Sequence, residues 1–360
     1  MAEMSLPLVV RRDDFRLTDD ESSFPSSVSD YLASACTHER VAQAEPLGFD
    51  SALWQSLTQM GVVEAAQASD GDPVSGLLQG ALIAETCGQL TAPVPYAEAV
   101  AVARLLGTTN GPGAAGLRLD VISGRAVVGL ASGSQLAGWP QLVASGAIAS
   151  GVLGLLGGDL VLLRQDERVP QVPVQGNLPT AWWGPEMSSV TRLLTGDNAQ
   201  AAFARARSEY MVLTASALAG LGAASLDQAA AFARDRTTKG VPIGALQGVS
   251  HPLAECKVAV EGARRTARKA AWFCEHEPVA DPKLPAVAFI AAARAADRAC
   301  RTAMHVNGGM GVMADSESAR YLLRSKSWAA VVARIPDVQL ELANVLRSPR
   351  YQEVVYPSML

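Results

Sequence analysis

Apolar positions recur at three- and four-residue spacing over residues 11–107, and this pattern predicts helices there. Ser51 is placed to be the N-cap of one helix that ends at Gly61. A second helix is expected from Val74 to Leu90, and the Pro-rich step after it should stop the helix because proline cannot continue one. Residues 1–107 are therefore predicted to form an N-terminal helical domain.

The pattern changes over residues 108–196, where short apolar runs are bounded by turn residues. Such runs are typical of β-strands. Because no helical segment separates them, we expect an antiparallel, barrel-like β domain rather than a parallel sheet. The expected strands lie at residues 126–128, 152–153, 160–163 and 169–174.

Helical spacing returns in the third region, residues 197–360, where four long segments are joined by short turns. This arrangement predicts an antiparallel four-helix bundle. Pro252 should kink the second helix or delay its start. The predicted fold is mainly α with a small β domain in the middle. The four helices are expected at about residues 197–236, 244–272, 286–306 and 316–346.

Composition narrows the class of protein. The chain has 360 residues, 49% of them hydrophobic, and a net charge of −5, which gives no electrostatic basis for binding nucleic acid. The five cysteines are widely spaced, without a Cys-x-x-Cys pair, so we expect buried thiols in a cytoplasmic protein. The most apolar stretch, residues 145–163, is broken by glycines and is not expected to span a membrane.

Two glycine-containing patterns in the third region carry candidate chemistry. The first reads Ala-Arg-Asp-Arg-Thr-Thr-Lys-Gly over residues 233–240, and Gln247 follows it. The second reads Met-His-Val-Asn-Gly-Gly-Met-Gly over residues 304–311 and precedes Ala-Arg-Tyr-Leu-Leu-Arg at 319–324. The planar fork of Arg236 matches phosphate oxygens. A Gly-Gly pair lets backbone N–H groups approach a ligand without obstruction by side chains.

In their order and separation, these patterns resemble those of the acyl-CoA dehydrogenase family. The resemblance spans essentially the whole chain and implies that family's fold, FAD as cofactor, a CoA thioester as substrate and an electron-transferring flavoprotein as electron acceptor. In the family reaction, a carboxylate removes the α-proton while hydride leaves the β-carbon for the flavin. The resemblance implies FAD contacts for five residues, namely Arg236, Gln247, His305, Gly308 and Gly309.

Several positions depart from the family pattern. Lys239 stands where the family usually has Phe, and His305 stands where it has Gln. The segments that hold the flavin ring and the thioester in the middle domain are not recognisable. Ser132 and Ser134 are the possible hydrogen-bond donors that remain there.

The catalytic base is absent from both places where the family carries it. One place falls near Val332 and the other at Tyr210, which Met211 follows in place of the usual Arg. Glu209 lies one residue away, but one helical step rotates a side chain by about 100°. Asp315 is a weaker candidate. Because proton abstraction needs a carboxylate within reach of the α-proton, the catalytic residue stays unassigned.

The family's shared site offers an explanation for this mixture. Each FAD lies across two subunits: one holds the flavin and supplies the base, and its neighbour lends the Arg and the Gly-Gly turn. This chain keeps the second set and lacks the first. We therefore expect the degenerate partner subunit of a heterotetrameric (α2β2-type) dehydrogenase, of the kind found in actinobacterial sterol and lipid breakdown. The alternatives are a self-sufficient homo-oligomer with an unidentified base, and a non-catalytic structural or binding protein.

Overall fold

The computed structural model describes residues 17–45, 47–67, 76–111, 113–133, 136, 140–278, 281–313 and 316–347. Its first part is helical, as predicted. Asp50, rather than Ser51, is the N-cap of the third helix, because its carboxylate accepts a hydrogen bond from Leu53 N at 2.8 Å. The helices are α1 (Asp19–Ala35), α2 (His38–Ala44), α3 (Ser51–Gln59), α4 (Gly76–Gln89), α5 (Tyr96–Gly107) and α6 (Ala114–Ile122).

The middle of the chain forms two small sheets. Strands β1, β3, β4 and β6 make a four-stranded sheet in the order β1-β3-β4-β6, and β2 pairs with β5. The run at 169–174, predicted as a strand, joins neither sheet, since Pro170 and Pro173 lack the N–H groups that a ladder needs. The strands are β1 (Val128–Leu130), β2 (Gln141–Val143), β3 (Gly151–Leu156), β4 (Asp159–Arg164), β5 (Ala181–Trp183) and β6 (Ser189–Leu194).

The expectation of a wholly antiparallel domain was wrong for one pair of strands. β1 and β3 are parallel, whereas the pairs β3–β4, β4–β6 and β2–β5 are antiparallel. Parallel strands need a crossover of a dozen or more residues, which is usually a helix. Here residues 131–150 make that crossover by way of β2, a strand of the other sheet, so no helix between the strands was required.

The apolar run in β4 reflects burial of both faces of the sheet. Leu160 and Leu162 belong to the main core shared with the helices, whereas Val161 and Leu163 pack in a smaller cluster around Trp183. Successive side chains in a strand point to opposite faces. The larger sheet is therefore covered by helices on one side and by the small core on the other.

The third part is the predicted bundle. The first helix, α7, packs against α4 and α5 as well as against the other bundle helices. α7 is also long and apolar enough to cross a membrane, but 94% of that window is buried inside the protein, as in the core helix of a globular fold. Pro252 lies within the second helix, whose start is delayed to Gln247. The bundle helices are α7 (Gly196–Asp235), α8 (Gln247–His276), α9 (Leu284–Asn307) and α10 (Glu317–Val332).

The last predicted helix, 316–346, is broken into α10 and α11 (Ile335–Arg347). Pro336 explains the break, because in a continuous helix its ring would clash with the carbonyl of Val332 and it has no N–H to donate. That carbonyl instead accepts a hydrogen bond from Ser132 Oγ at 2.7 Å. The break thereby ties the bundle to the β unit.

Candidate functional site

All five residues assigned to the cofactor lie at one end of the bundle. Arg236 follows the end of α7, Gln247 begins α8, and His305 lies in the last turn of α9, just before Gly308 and Gly309. Cys256 Sγ of α8 lies 3.4 Å from Thr302 Oγ1 of α9. The N-terminal part of α8 therefore lies beside the C-terminal part of α9. The two sequence patterns, about seventy residues apart, thus converge on the same surface.

Arg236 leads into a tight β-hairpin made by β7 (Thr237–Thr238) and β8 (Val241–Pro242). Its carbonyl accepts a hydrogen bond from Ile243 N at 2.8 Å. Lys239 (φ 48°) and Gly240 (φ 82°) are the two turn residues, both left-handed as a type I′ turn requires. Lys239 is therefore an exposed hairpin tip, and the Arg236 side chain is exposed without an ion pair among the described residues.

The Gly-Gly turn is held from behind by Asn307. Asn307 Nδ2 donates to Gln228 Oε1 of α7 (3.0 Å) and to Ser318 Oγ of α10 (2.7 Å). Gly308 adopts φ 58° and ψ −139°, a conformation that glycine reaches without steric cost. The turn thus has a fixed position relative to three helices, while its outer surface is exposed.

This end of the bundle fits a phosphate-bearing cofactor such as FAD. A Cβ added at Gly308 or Gly309 would meet no heavy atom within 4 Å, so the space above the turn is open. Leu246, the N-cap of α8, provides no side-chain cap, so the first N–H groups of α8 lack that partner. Arg236 lies about 12 Å beyond Gln228 along α7, at 1.5 Å per residue, and Gln228 is the α7 residue that contacts the Gly-Gly turn. The Arg236 guanidinium forms no ion pair among the described residues. Phosphate oxygens suit both kinds of donor.

Exposed apolar side chains surround the same site. We call them the bundle-end patch. Met310, for example, is 58% exposed and Val312 is 65% exposed. Large apolar side chains grouped near a polar site are typical of a surface that another chain covers. The bundle-end patch consists of Val241, Leu246, Met310, Val312 and Met313.

A separate cavity of about 100 Å³ lies where α4, α5, α7 and α10 meet the β unit. Val331 and Val332 line it, which is where one family position for the base was expected. Tyr210, at the other expected position, lines it too. The valine side chains and the Tyr210 phenol cannot remove a proton from carbon as a carboxylate does. The described part of the chain therefore supplies no base from the two expected positions.

Glu209 does not rescue the missing base. It lies outside the residues that line the cavity and is bound to arginines, with Oε2 3.0 Å from Arg104 Nε and Oε1 3.0 Å from Arg205 Nε. Arg104 also reaches Glu275 Oε1 at 3.2 Å. Burial alone would lower the pKa of Arg104, but the two glutamates raise it above its ordinary value. Glu209 is thus part of a buried ion-pair network, and a shift of helical register is excluded.

The other polar candidates of the sequence have separate outcomes. Ser132 is committed to the Val332 carbonyl, as described above. Ser134 and Asp315 lie outside the described residues.

A buried carboxyl that the sequence did not single out does line the cavity. Glu98 of α5 is 3% exposed, and its Oε1 accepts a hydrogen bond from Leu130 N at 2.8 Å. Ser145 Oγ donates to its Oε2. Burial raises the pKa of Glu98 to about 7, against the lowering effect of these donors. Glu98 thus ties the end of β1 to the turn at Ser145.

Arg324 of α10 is the second buried charged group on the cavity wall. It is 3% exposed, its Nη1 donates to the Thr91 carbonyl, and its Nη2 has no hydrogen-bond partner among the described residues. The sequence offered signals for both groups. Glu98 is the one carboxylate in the apolar helix α5, and Arg324 closes the second sequence pattern.

Comparison with known proteins adds an independent line of support. Residues 198–330 match the family model described as acyl-CoA dehydrogenase, C-terminal domain. Acyl-CoA dehydrogenase FadE27 of Mycobacterium tuberculosis is 28% identical to this chain over 354 residues, covering 87% of this chain and 93% of that protein. The similarity therefore extends well beyond the bundle.

Two solved structures have the same fold. A chain of the ChsE4–ChsE5 complex from Mycobacterium tuberculosis is 23% identical with a TM-score of 0.78, covering 93% of this chain and 100% of that one. A variant of the Tcur3481–Tcur3483 steroid ACAD is 19% identical with a TM-score of 0.79, covering 91% of this chain and 98% of that one. The predicted architecture, a helical part, a small β unit and a helical bundle, is thereby confirmed.

Proposed function

Because the chain belongs to the acyl-CoA dehydrogenase family, we propose that it is the partner subunit of a heteromeric FAD-dependent dehydrogenase of acyl-CoA thioesters. It lends the bundle end to a flavin site that it shares with a second, base-bearing subunit. We propose that Arg236 and Gln247 bind phosphate oxygens, that Gly308 and Gly309 let the cofactor approach the backbone of the turn, and that His305 adds a hydrogen bond.

One observation carries this proposal: the exposed Arg236 forms no ion pair among the described residues, whereas both expected base positions hold residues that are not bases. The space above the Gly308 turn is open. The bundle-end patch lies beside them. A neighbouring subunit would cover those apolar side chains and bring the rest of the flavin site.

The chemistry is divided accordingly. When bound, FAD supplies the hydride acceptor for oxidation of the Cα–Cβ bond. In this chain, Arg236 neutralises phosphate charge and Asn307 fixes the turn. The carboxylate of the partner subunit takes the α-proton. An electron-transferring flavoprotein is the proposed acceptor, and a tetramer in the cytoplasm is the proposed assembly.

The proposed substrate class is a sterol-derived acyl-CoA. It is supported by one similar structure, which is described as a steroid ACAD. The heteromeric assembly is supported by the other, which is described as the ChsE4–ChsE5 complex. The domain division into residues 1–107, 108–196 and 197–360 stays a prediction. α6 lies within the region assigned to the β unit.

The test is flavin retention in a complex co-expressed with a base-bearing partner subunit. Arg236→Ala should weaken FAD binding by about 10- to 100-fold, because charge-assisted hydrogen bonds contribute about 1.5–3 kcal/mol. The flavin-to-protein ratio follows from visible absorbance of the purified complex. Arg234→Ala is the matched control, since Arg234 is also exposed and lies in the last turn of α7. A full flavin content in the Arg236→Ala complex would contradict the shared site.

Glu98 favours a second candidate function, a self-sufficient homo-oligomeric dehydrogenase. Its carboxyl lines the cavity, and a pKa of about 7 suits a general base at neutral pH. If Glu98 is the base, the chain purified alone should be yellow and should reduce a dye with an acyl-CoA. Glu98→Gln should then abolish turnover without loss of flavin. A colourless and inactive preparation would exclude this candidate.

A further inference from the structure

A pocket of about 170 Å³ lies where the end of α5 meets α6 and the N-terminal half of α7. It shares no lining residue with the cavity beside Glu98. Arginines from three different helices line it, and Glu209 is the one carboxylate among its lining residues. We call it the arginine pocket. The three arginines are Arg104 of α5, Arg118 of α6 and Arg205 of α7.

Two of these arginines share the carboxylates that lie beside the pocket. Glu209 uses one oxygen for Arg104 Nε and the other for Arg205 Nε, each at 3.0 Å. Glu275 Oε1 lies 3.2 Å from Arg104 Nη1. Both glutamates are therefore already engaged, and neither is left to neutralise a third guanidinium.

Arg118 is the third guanidinium, and it has no carboxylate. Its Nε donates to the Ala103 carbonyl at 3.2 Å and its Nη2 to Gln67 Oε1 at 3.4 Å, and it forms no ion pair among the described residues. A Cβ added at Gly107 would lie 3.2 Å from Arg118 Nε, so the guanidinium lies directly against the end of α5. Three guanidinium groups thus face two carboxylates, which leaves one positive charge uncompensated.

A hydrogen-bond donor in the arginine pocket also lacks a partner. Arg104 has a side chain that is only 5% exposed, and its Nη2 is buried without a hydrogen bond to any described residue. Nearby acceptors at the end of α5 are occupied, because Thr108 Oγ1 donates to the Leu105 carbonyl at 2.8 Å and Arg118 to that of Ala103. A buried donor without an acceptor destabilises a fold. An anion would supply both the missing acceptor and the missing charge.

We propose that the arginine pocket binds a phosphate group, held by Arg104, Arg118 and Arg205. Phosphate presents acceptor oxygens in several directions, which suits guanidinium groups that arrive from three helices, and its geometry matches the guanidinium fork. Its size fits as well, since a cavity of about 150 Å³ accommodates benzene and phosphate has fewer non-hydrogen atoms. The site is separate from the bundle end, does not involve the flavin and does not rest on the proposed function.

The phosphate comes either from the free inorganic ion or from the end of a small phosphomonoester. Arg205 is 43% exposed, so the pocket opens to solvent at this side chain. An ester could therefore place its phosphate in the pocket and leave the rest of the molecule outside. Both sources present the same chemistry to the arginines.

The first test is calorimetric titration of the purified full chain with inorganic phosphate and with glycerol 3-phosphate, in a buffer whose only other anion is chloride. At least one probe should bind saturably, and sodium chloride at equal ionic strength should give no comparable heat. The probe that binds more tightly identifies the source of the phosphate. Absence of binding by both probes would overturn the proposal.

The second test assigns the contact to Arg118. Arg118→Gln should raise the dissociation constant for the bound probe at least about tenfold, because it removes the uncompensated charge and the fork. Arg118→Lys should retain part of the affinity, since lysine keeps the charge but not the fork. Arg125→Gln is the matched control, because Arg125 follows α6, is 65% exposed and pairs with Asp120 outside the pocket. Affinity that is unchanged in Arg118→Gln would refute the site.

A third measurement uses the wild-type chain, so its result does not depend on whether the Arg118 variants fold. Phenylglyoxal modifies guanidinium groups, and mass spectrometry of peptides gives the rate at each arginine. At about ten times its dissociation constant, phosphate should slow the modification of Arg118 and Arg205 about tenfold by mass action and leave Arg125 unaffected. Equal rates with and without phosphate, or equal slowing at all three arginines, would contradict binding in the pocket.

Discussion

Glu98 allows a quantitative prediction about the pH dependence of stability. Its carboxyl is buried with two donors and no cation within hydrogen-bond distance among the described residues. Glu98→Gln replaces it with a neutral group of the same shape. The Gln oxygen can accept from Leu130 N, and the Gln amide can donate to Ser145 Oγ after that hydroxyl rotates. The variant therefore imitates the protonated acid at every pH.

The magnitude follows from the difference in pKa between the folded and unfolded chains. Burial raises the pKa of Glu98 to about 7, from an ordinary value of 4.5. The folded protein thus binds the proton more tightly, and this contribution to stability is fully present below pH 4.5 and lost as pH rises through 7. At about 1.36 kcal/mol per unit, the wild type loses about 3 kcal/mol over this window relative to Glu98→Gln.

The assay is urea unfolding of both proteins between about pH 5 and pH 9, with the free energy of unfolding extrapolated to water. Glu98→Gln should be the more stable protein above pH 7, and the difference should shrink toward pH 5. Glu64→Gln is the control, because Glu64 is exposed on the surface and its replacement should leave the pH profile unchanged. Parallel profiles for wild type and Glu98→Gln would refute the assigned burial of a titrating carboxyl.

Two further predictions concern helix contacts. Glu209→Gln should destabilise the protein by about 1.5–3 kcal/mol, because buried Arg104 would keep only one of its two carboxylate partners, Glu275; an unchanged urea midpoint would contradict the ion pair. Gly220→Ala should cost about 1–3 kcal/mol or more, because the added Cβ would lie 2.0 Å from the Glu85 carbonyl oxygen. Gly262→Ala, in open space on α8, should instead stabilise by up to about 1 kcal/mol, and a loss of stability in that control would contradict the packing argument.

Periodicity was enough to predict the order of helices and strands, because helical and strand spacing differ clearly in a chain of this length. It was less successful at breaks. The apolar spacing continues across Pro336, so periodicity predicts one helix over residues 316–346 and does not predict its division at Ala333. The parallel pairing of β1 with β3 depends on which sheet β2 joins, and pairing between distant strands leaves no trace in local periodicity.

The candidate site was predictable in the part that has a local sequence pattern. Arg236 and Gly308 lie in recognisable turns, so their positions could be transferred from the family resemblance. Glu98 and Arg324 also carry signals in the sequence, but their burial beside the cavity depends on distant segments and could not be predicted from those signals. Glu209 is the opposite case. It is adjacent in sequence to Tyr210, which lines the cavity, but its carboxylate faces Arg104 and Arg205 instead.

The polar groups beside the middle of α7 and those at its C-terminal end are partnered differently, and this difference bears on the proposed division of labour. Near the cavity, Glu98 accepts hydrogen bonds from Leu130 N and Ser145 Oγ, and Ser132 Oγ donates to the Val332 carbonyl. Buried polar groups in folded proteins normally find such partners. At the C-terminal end of α7, Arg236 forms no ion pair among the described residues and the space above Gly308 is open, although burial in a partner's interface would require the guanidinium to be satisfied. A chain that leaves Arg236 exposed beside an open Gly308 turn, and has no carboxylate at Tyr210 or Val332, is suited to completing another subunit's site, and this supports the role proposed for the bundle end.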